Sequence, residues 1–349
     1  MAIRNEFFVK DINTRFDLSL RYTEPVLKVD EYLYSINYNP FTTNKVNTKI
    51  IKTDINFEIL WIKELEEVHV VFWVESFDNG DLLIYGGQYD ESISKIGFND
   101  YPKVVLLKLT KDGVISWSKK FEIETYKKVE AADRNILKKL DNGFVFAIEK
   151  SNEVSLCNVD KDGNIIKSIS IEGVVMDDIQ VNNDFIYYTY KNAEYNHVFG
   201  ILVLDRNLQA IKSFSFLNNS TYNLRGGIGS VRSNMVNKKL FVSYSPGTYR
   251  LIASLDLSDP INLVLEKAII IEGVSSNSSL TSNKIEKNES NLFIHDIESS
   301  NGPTSYYKFD DNLNLIWAKS SNIVVDSFQF KVFNRFILLF DRNKNEEVV

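Results

Sequence analysis

The chain has few residues that would point to a particular chemistry. Among its 349 residues there is one cysteine, Cys157, and there are three histidines, His69, His197 and His295. A single cysteine excludes a disulfide within the chain and is typical of a reducing compartment, so we expect a cytoplasmic protein. The three histidines are far apart in sequence and show no Cys/His ligand spacing, so the sequence predicts no metal site.

Long apolar runs and concentrated positive charge are also absent. No segment approaches the roughly 20 apolar residues needed to cross a membrane, and acidic and basic residues interrupt the first eleven positions where an export signal would be apolar. The net charge is −7, with acids and bases mixed along the chain. Nucleic acids and anionic membranes both need a concentrated basic surface, so the sequence predicts neither as a partner.

A repeat of short polar turns runs through the whole chain, which has only 15 Gly and 6 Pro and no low-complexity linker. The turns recur every 43–56 residues, and a strand-like segment follows each one. A period of this length indicates one repeat domain over residues 1–349 rather than two domains. The turns begin at Asp11, Asp54, Thr110, Asp160, Asp205, Asp256 and Asp310.

One period shows the pattern of a four-stranded sheet most clearly. Residues 70–76, 81–87, 103–109 and 114–121 either alternate or run apolar as strands do. Polar turns separate the first strand from the second and the third from the fourth. Four antiparallel strands per period are typical of a β-propeller blade, so we predict an all-β, seven-bladed β-propeller.

The two ends of the chain complete the predicted propeller. Residues 325–349 supply only a first and a second strand, and residues 5–23 supply only a third and a fourth. We therefore expect the N-terminal strands to pair with the C-terminal strands and close the last blade, which would remove exposed sheet edges. The other predicted blades span residues 26–65, 69–122, 132–171, 176–216, 226–271 and 280–320.

Tryptophan-terminated repeats give the chain a resemblance to known propellers. The segment from Leu106 to Trp117, preceded by the segment from Asp78 to Gly86, resembles the repeats of bacterial propellers related to the quinoprotein-like (PQQ-like) class. The resemblance implies a scaffold without agreed chemistry, and no residues match those that would hold a quinone, so we expect no cofactor. The closing tryptophan is kept at Trp61, Trp117 and Trp317, and its place is taken by Lys167, Lys212 and Leu265.

Motifs for catalysis are weak. The run from Asp160 to Asn164 resembles a calcium loop but lacks the third acidic ligand and the distal Glu, so a hairpin turn is the better interpretation. The run from Thr110 to Trp117 resembles the Asp-box of sialidase-type propellers, but its Asp and Gly are adjacent where that box separates them. Carboxylate pairs such as Asp177–Asp178 would point to opposite faces of a strand, which is wrong for a glycosidase dyad. The sequence assigns no catalytic residue.

The connections opposite the hairpin turns are longer and richer in aromatic residues. Tyr, Asn, Ser and Gly on loops are the mix that binding surfaces favour, because Tyr offers a large contact area at low entropy cost. The alternative is that strand-end tyrosines simply pack their rings and wet their hydroxyls. The connection 86–102 is the best candidate, since loops longer than about 12 residues are usually functional or disordered. The candidate binding residues are Tyr38, Phe41, Tyr89, Phe98, Tyr101, Tyr190, Tyr195, His197, Tyr249, Arg250 and Tyr306.

Three functions remain open at this point. The first is a non-catalytic interaction scaffold that presents the Tyr/Asn-rich loops to a protein partner. The second is a carbohydrate-binding propeller that stacks Tyr rings on sugars, and the third is a hydrolase with a site at the central channel. The missing histidine and metal motifs count against the enzyme, and the missing export signal counts against the glycan, so the scaffold is the leading hypothesis.

Overall fold

The structure of the chain is a computed structural model, and every regular element that it describes is a β-strand. It describes residues 22–38, 48–56, 58–88, 103–122, 136–150, 153–182, 184–192, 198–217, 231–244, 249–272, 284–288, 291–297, 304–321, 325–333 and 336–341.

The described strands form six four-stranded antiparallel sheets and one two-stranded sheet. In chain order they are β1 (Tyr22–Val29), β2 (Tyr32–Tyr38), β3 (Thr48–Asp54) and β4 (Ile59–Leu65) in the first sheet; β5 (Val70–Ser76), β6 (Leu82–Gln88), β7 (Lys103–Leu109) and β8 (Ile115–Glu122) in the second; β9 (Leu137–Leu140), β10 (Gly143–Lys150), β11 (Glu153–Asp160) and β12 (Ile165–Glu172) in the third; β13 (Val174–Val181), β14 (Phe185–Asn192), β15 (Val198–Asp205) and β16 (Ala210–Leu217) in the fourth; β17 (Val231–Val236), β18 (Lys239–Tyr244), β19 (Tyr249–Asp256) and β20 (Val264–Glu272) in the fifth; β21 (Lys284–Asn288), β22 (Asn291–Ile297), β23 (Thr304–Phe309) and β24 (Leu315–Ser321) in the sixth; and β25 (Val325–Phe333) with β26 (Phe336–Asp341) in the last.

The sheets are arranged as a β-propeller. The first strands of successive sheets contact one another in chain order, and the hairpin β25–β26 lies between the sixth sheet and the first. Each sheet is a simple meander whose neighbours in sequence are neighbours in space. The predicted all-β propeller is confirmed.

The prediction of seven blades is wrong, because the described residues form six four-stranded blades and a two-stranded hairpin. Tyr22 and Thr23, predicted to close the last blade, instead begin β1 and pair with β2 of the first sheet. A register shift between Pro25 and Leu27 lets β1 continue past the proline, across the predicted blade boundary between residues 23 and 26. The rest of the predicted N-terminal strands lies outside the described residues.

The hydrophobic core lies between neighbouring sheets. Tyr34 of the first sheet packs with Ile84 and Leu107 of the second, and Phe146 of the third packs with Tyr188 of the fourth. A sheet that is covered on both faces buries every residue of its middle strands, and β6 is buried from Leu82 to Gly87. This packing explains the continuous apolar runs of the sequence.

Aspartates close the turns between the third and fourth strands. Asp54, Asp160, Asp205 and Asp310 each accept, through Oδ1, backbone N–H groups two and four residues further along, at 2.7–2.9 Å. A side chain that mimics a turn in this way is the reason that Asp recurs at these positions. The side chain of Asn164 and two backbone N–H groups also hold the pKa of Asp160 below its ordinary value.

The fourth strand of a blade contacts the turn between the third and fourth strands of the following blade, and we call the residue that makes this contact the docking residue. In two blades the docking residue is a tryptophan. Trp61 of β4 donates from Nε1 to the carbonyl of Lys111 at 3.2 Å. A Cβ atom on Gly113 would lie 3.3 Å from the Trp61 ring, so the glycine makes room for it. Trp117 of β8 lies in the same way against Gly163 of the third blade.

Lysine makes the equivalent contact elsewhere. Lys212 donates from Nζ to the carbonyl of Ile261 at 2.7 Å, and Lys267 donates to the carbonyl of Asn312 at 2.8 Å. The sequence prediction that Leu265 takes the tryptophan position is wrong, since Lys267 occupies it, immediately after the register shift of β20. The turn at 257–263 contains seven residues, whereas the other described turns between a third and a fourth strand contain four or five, so the equivalent position lies further along the chain.

The residue in the contacted turn differs according to whether the docking residue is tryptophan or lysine. Gly113 and Gly163, which lie under tryptophans, have φ of +82° and +77°. Leu208 and Leu313 hold the same left-handed backbone, with φ of +57° and +55°, and both are buried. The blade that precedes each of these leucines has lysine at the docking position. Burial of the leucine side chain offsets the strain of its backbone.

Candidate functional site

The two faces of the propeller differ in the lengths of their connections. Connections from the first strand to the second, and from the third to the fourth, contain two to seven residues, and we call this side the turn face. The other connections leave from the opposite side, which we call the long-connection face. Two of them, 89–102 and 123–136, contain 14 residues each.

The turn face is strongly acidic. Its described turns, with the strand residues that flank them, contain sixteen acidic residues against five basic ones. The whole chain has a net charge of only −7, so the remainder of the molecule is positive overall. The turn aspartates mostly accept hydrogen bonds from backbone N–H groups of their own turns, which indicates a structural role for this face.

Two of the predicted binding residues lie at strand ends of the long-connection face. Tyr38 ends β2 and Tyr249 begins β19, so both backbones reach that face, and their side chains lie outside the described part of the structure. The predicted residues that lie wholly outside the described ranges are Phe41, Tyr89, Phe98, Tyr101, Tyr195 and His197.

Three predicted residues have described side chains, and they belong to three different sheets. Tyr190 is half-buried, stacks on Tyr188 with ring centroids 6.0 Å apart, and its hydroxyl lies 3.0 Å from Ser213 Oγ. Arg250 and Tyr306 are buried, with exposed fractions of 0% and 4%. The structure therefore does not bring these three side chains together on one surface.

A polar cluster that sequence reasoning missed lies between the fourth and fifth sheets. Its members, the Asp178 cluster, are Asp178, Gln180, Thr189 and Ser233, and all are buried. Asp178 Oδ2 accepts the backbone N–H of Ser233 at 2.6 Å, and Gln180 Nε2 donates to the carbonyl of Ser233 at 2.9 Å. Two side chains of β13 in the fourth sheet thus form hydrogen bonds with both backbone groups of Ser233, which lies in β17 of the fifth sheet.

A β-bulge places Asp178 in this cluster. The register of β13 against β14 shifts between Met176 and Ile179, so Asp177 and Asp178 together stand opposite Thr189. Thr189 Oγ1 accepts the Asp178 N–H at 3.2 Å and donates to its carbonyl at 3.1 Å. Bulges re-aim side chains and are common beside functional sites. The adjacent acidic pair was visible in the sequence, but nothing in the sequence indicated the bulge that places Asp178 in this cluster.

A second polar group lies on the opposite face of the fifth sheet. Arg232, Ser243 and Arg250 are 4%, 0% and 0% exposed. Arg232 stands directly opposite Ser243 in the strand register, and Ser243 stands opposite Ile252. Side chains of opposed residues, and of residues two apart in a strand, lie on one face of a sheet, so these three side chains share a face. All lie within one residue of a strand end at the long-connection face.

Other kinds of site find little support among the described residues. In that part of the chain, no group of three or more His, Cys, Asp or Glu residues could hold a metal ion. No described segment is a helix that is long and apolar enough to cross a membrane. Cys157 is buried in β11, where it packs in the core.

Comparison with solved structures shows the fold class. A protein from Lactobacillus plantarum is 12% identical, with 85% of this chain and 83% of that chain covered and a TM-score of 0.57. The periplasmic gluconolactonase PpgL of Pseudomonas aeruginosa is 9% identical, with 85% and 84% covered and a TM-score of 0.56. A europium-containing methanol dehydrogenase is 8% identical, with 90% and 74% covered and a TM-score of 0.49.

No known protein-family profile and no curated protein matches the sequence. At these identities the likeness to solved structures is one of fold alone. The chain is a β-propeller. Its activity is not carried over from any of these proteins.

Proposed function

We propose that this propeller is a non-catalytic interaction scaffold that binds a protein partner through its long-connection face. The asymmetry between the two faces carries the proposal. The turn face is built from short connections whose aspartates cap their own backbone, so its sequence is explained by folding. Five of the opposite connections contain 9–14 residues, namely 39–47, 89–102, 123–136, 218–230 and 273–283. As a group the opposite connections are rich in Tyr, Asn and Ser, and the turn requirements of the fold do not explain that composition.

The buried polar residues support the same face. Arg232, Ser243 and Arg250 lie at strand ends beneath it, and the Asp178 cluster fixes the fourth sheet to the fifth. Hydrogen-bonded buried networks hold neighbouring elements in one geometry. A rigid support is what a loop surface needs in order to bind without a large ordering cost.

A paired capture experiment tests the proposal. Residues 89–101 would be replaced by a Gly/Ser linker of equal length, which leaves Gln88 and Lys103 in their strands. Intact and altered proteins, both checked for folding by thermal melting, would be used as baits in lysate of the source cells. We expect a saturable partner that only the intact protein captures.

A matched bait controls for a general change in the surface. Replacing Lys161 and Asp162, which are exposed on the turn face, should leave capture unchanged. Loss of the partner with this control, or equal capture by all three baits, would contradict the assignment of the face. A glycan that binds the intact protein and not the 89–101 variant would instead favour the carbohydrate-binding alternative.

We also infer a relation to the quinoprotein-like propellers. Support comes from Trp61 and Trp117, which pack against turn glycines of the next blade. Sequences related to this chain test the inference, since they should change the docking tryptophan and the glycine together. Independent change at the two positions would count against it.

A further inference from the structure

We propose that two copies of this chain dimerise by antiparallel pairing of the outer edges of their β4 strands, around a two-fold axis that passes between Leu60 and Trp61. The proposal does not depend on the protein partner proposed above. It rests on the exposed side chains of β4, on a β-bulge that determines which residues can pair, and on two opposite charges at matching positions.

The outer edge of β4 is open and apolar. β4 is the last strand of the first sheet, and no other described strand pairs with its outer side. Ile59 and Ile62 are 41% and 53% exposed. One residue after the docking position, the other five four-stranded blades have a small residue, namely Ser118, Ser168, Ser213, Ala268 and Ala318. The fold therefore does not require the large apolar side chain of Ile62.

A β-bulge determines which residues of β4 can pair with a second copy. The register against β3 shifts at Leu60, and before the shift Ile59 stands opposite Thr53. Beyond the shift, Ile62 stands opposite Ile51. These two partners are two residues apart in β3, so Ile59 and Ile62 lie on one face of the sheet. In a strand without a bulge, residues three apart lie on opposite faces and cannot stand opposite each other in a symmetric antiparallel pair.

The backbone polar groups of the same two isoleucines point to the open edge. The N–H of Asp54 donates to the carbonyl of Glu58 at 3.1 Å, so Glu58 directs its backbone polar groups toward β3. The direction of these groups alternates along an antiparallel strand, so those of Ile59 point outward. Ile62 has the same direction, because its partner in β3 lies two residues from the partner of Ile59. An antiparallel strand from a second copy could form hydrogen bonds at both residues.

The edge of β4 is complementary to itself when two copies run antiparallel. Ile59 of one copy then lies opposite Ile62 of the other, and Glu58 lies opposite Lys63. Each contact occurs twice, because a two-fold axis repeats it. Opposite charges and apolar side chains that face each other across strands stabilise pairing. Neither Glu58 nor Lys63 forms an ion pair among the described residues, and the neighbouring acid Glu64 lies outside the paired segment.

The other fourth strands have the same bulge without this complementarity. In all six four-stranded blades the register between the third and fourth strands shifts at the equivalent place. The positions equivalent to Glu58 and Lys63 do not combine an acid with a base in the other five blades, where they hold Val114 and Lys119, Asn164 and Ile169, Gln209 and Phe214, Val264 and Ile269, and Asn314 and Lys319. Backbone geometry alone therefore selects no strand, and the side chains select β4.

Antiparallel pairing at this edge determines how the two propellers face. β4 runs from the turn face to the long-connection face, so the turn face of one copy lies beside the long-connection face of the other. The two acidic turn faces then point in opposite directions and do not approach each other.

Sedimentation velocity of the full chain tests the dimer. Residues 58–63 of each copy form a small interface, so we expect a reversible monomer–dimer equilibrium with a Kd of about 1–100 μM. Ile62→Ser introduces the residue that three other blades have at this position and should raise the Kd at least about tenfold. Leu315→Ser is the matched control, because Leu315 is 55% exposed at the start of the fourth strand of the sixth blade. It should leave the Kd unchanged.

Charge reversal tests the register. Glu58→Lys alone places a lysine opposite Lys63 at both ends of the paired segment, and Lys63→Glu alone places a glutamate opposite Glu58. Each variant should therefore be monomeric at concentrations where the parent protein is dimeric. An equal mixture of the two variants restores opposite charges at both ends, so the mixture should dimerise as the parent protein does.

Three results would overturn the proposal. The first is a parent protein that remains monomeric up to about 100 μM, which would leave the edge to another segment of this chain or to a different protein. The second is an equal Kd for Ile62→Ser and Leu315→Ser. The third is a mixture of the charge variants that dimerises no better than either variant alone. The substituted side chains are exposed or half-buried, so the variants should fold, which thermal melting checks.

Discussion

Replacing Gly163 by alanine tests how the second and third blades are joined. Gly163 has φ of +77°, and a Cβ atom there would lie 2.7 Å from two atoms of the Trp117 ring and 3.1 Å from Cγ of Lys119. A left-handed backbone costs a non-glycine residue about 1–2 kcal/mol. Overpacking costs about 1–3 kcal/mol more. We therefore expect Gly163→Ala to lower the free energy of unfolding by about 2–5 kcal/mol.

Gly173→Ala separates the two contributions. Gly173 also has positive φ, +70°, but no atom lies within 4 Å of the position of its Cβ. This variant should lose only the backbone contribution of about 1–2 kcal/mol. Urea denaturation followed by far-ultraviolet circular dichroism, with equal slopes required for all variants, measures both losses.

Equal losses of unfolding free energy in Gly163→Ala and Gly173→Ala would contradict a contribution from contact with the Trp117 ring. A further variant makes the cause specific, because Trp117→Ala removes the ring that the new Cβ would meet. In that background Gly163→Ala should cost no more than Gly173→Ala costs in the parent. An unchanged cost would show that the strain does not come from the tryptophan.

Three other predictions concern buried charge, blade docking and pH. Asp178→Asn weakens the acceptor of the Ser233 N–H, and urea denaturation should show a loss of about 1–3 kcal/mol. Lys267→Trp should lower the melting temperature, because Leu313 fills the space that glycine leaves open under a tryptophan, and adding Leu313→Gly should recover most of the loss. Burial opposes the ionisation of Asp81, but hydrogen bonds to its neighbours hold its pKa below the ordinary value. The contribution of Asp81 to stability is therefore complete above the unfolded pKa of about 3.9 and is lost as the pH falls through the folded pKa. Between pH 5 and pH 3, the free energy of unfolding should therefore fall less for Asp81→Asn than for the parent protein.

Each of these predictions has a control. Asp162→Asn changes an exposed turn carboxylate and should alter stability by less than about 0.5 kcal/mol; a loss equal to that of Asp178→Asn would contradict a special role for the cluster. If Leu313→Gly fails to rescue Lys267→Trp, the docking residue and the turn residue are independent. Parallel pH curves for Asp81→Asn and the parent would show that Asp81 does not contribute to acid unfolding.

Much of the blade architecture could be predicted from the sequence, because local chemistry repeats in every blade. Asp160 and Asp310 cap their turns through the same two hydrogen bonds, so the turn recurs as a visible motif. The number of four-stranded blades could not be predicted. The predicted boundary before residue 26 was misplaced, because Tyr22 and Thr23 join the first sheet across a β-bulge at Pro25. The other residues of the predicted closing strands, 5–21, lie outside the described residues.

The buried polar groups were harder to predict for a related reason. Alternation assigns side chains to faces only while the strand register is unbroken, and the bulge in β13 breaks it at Asp178. Arg250 was predicted as a surface binding residue because it lies beside a loop, yet it is fully buried. Loop proximity in sequence indicates which end of a sheet a residue occupies and says little about its depth.

The acidity of the turn face makes that side of the molecule repel acidic surfaces. A negatively charged partner would be repelled as it approaches the sixteen acidic residues of the described turns. Repulsion of this kind acts on the association rate and weakens as added salt screens the field, while the dissociation rate would change little. Two proteins of this kind would also avoid stacking turn face to turn face.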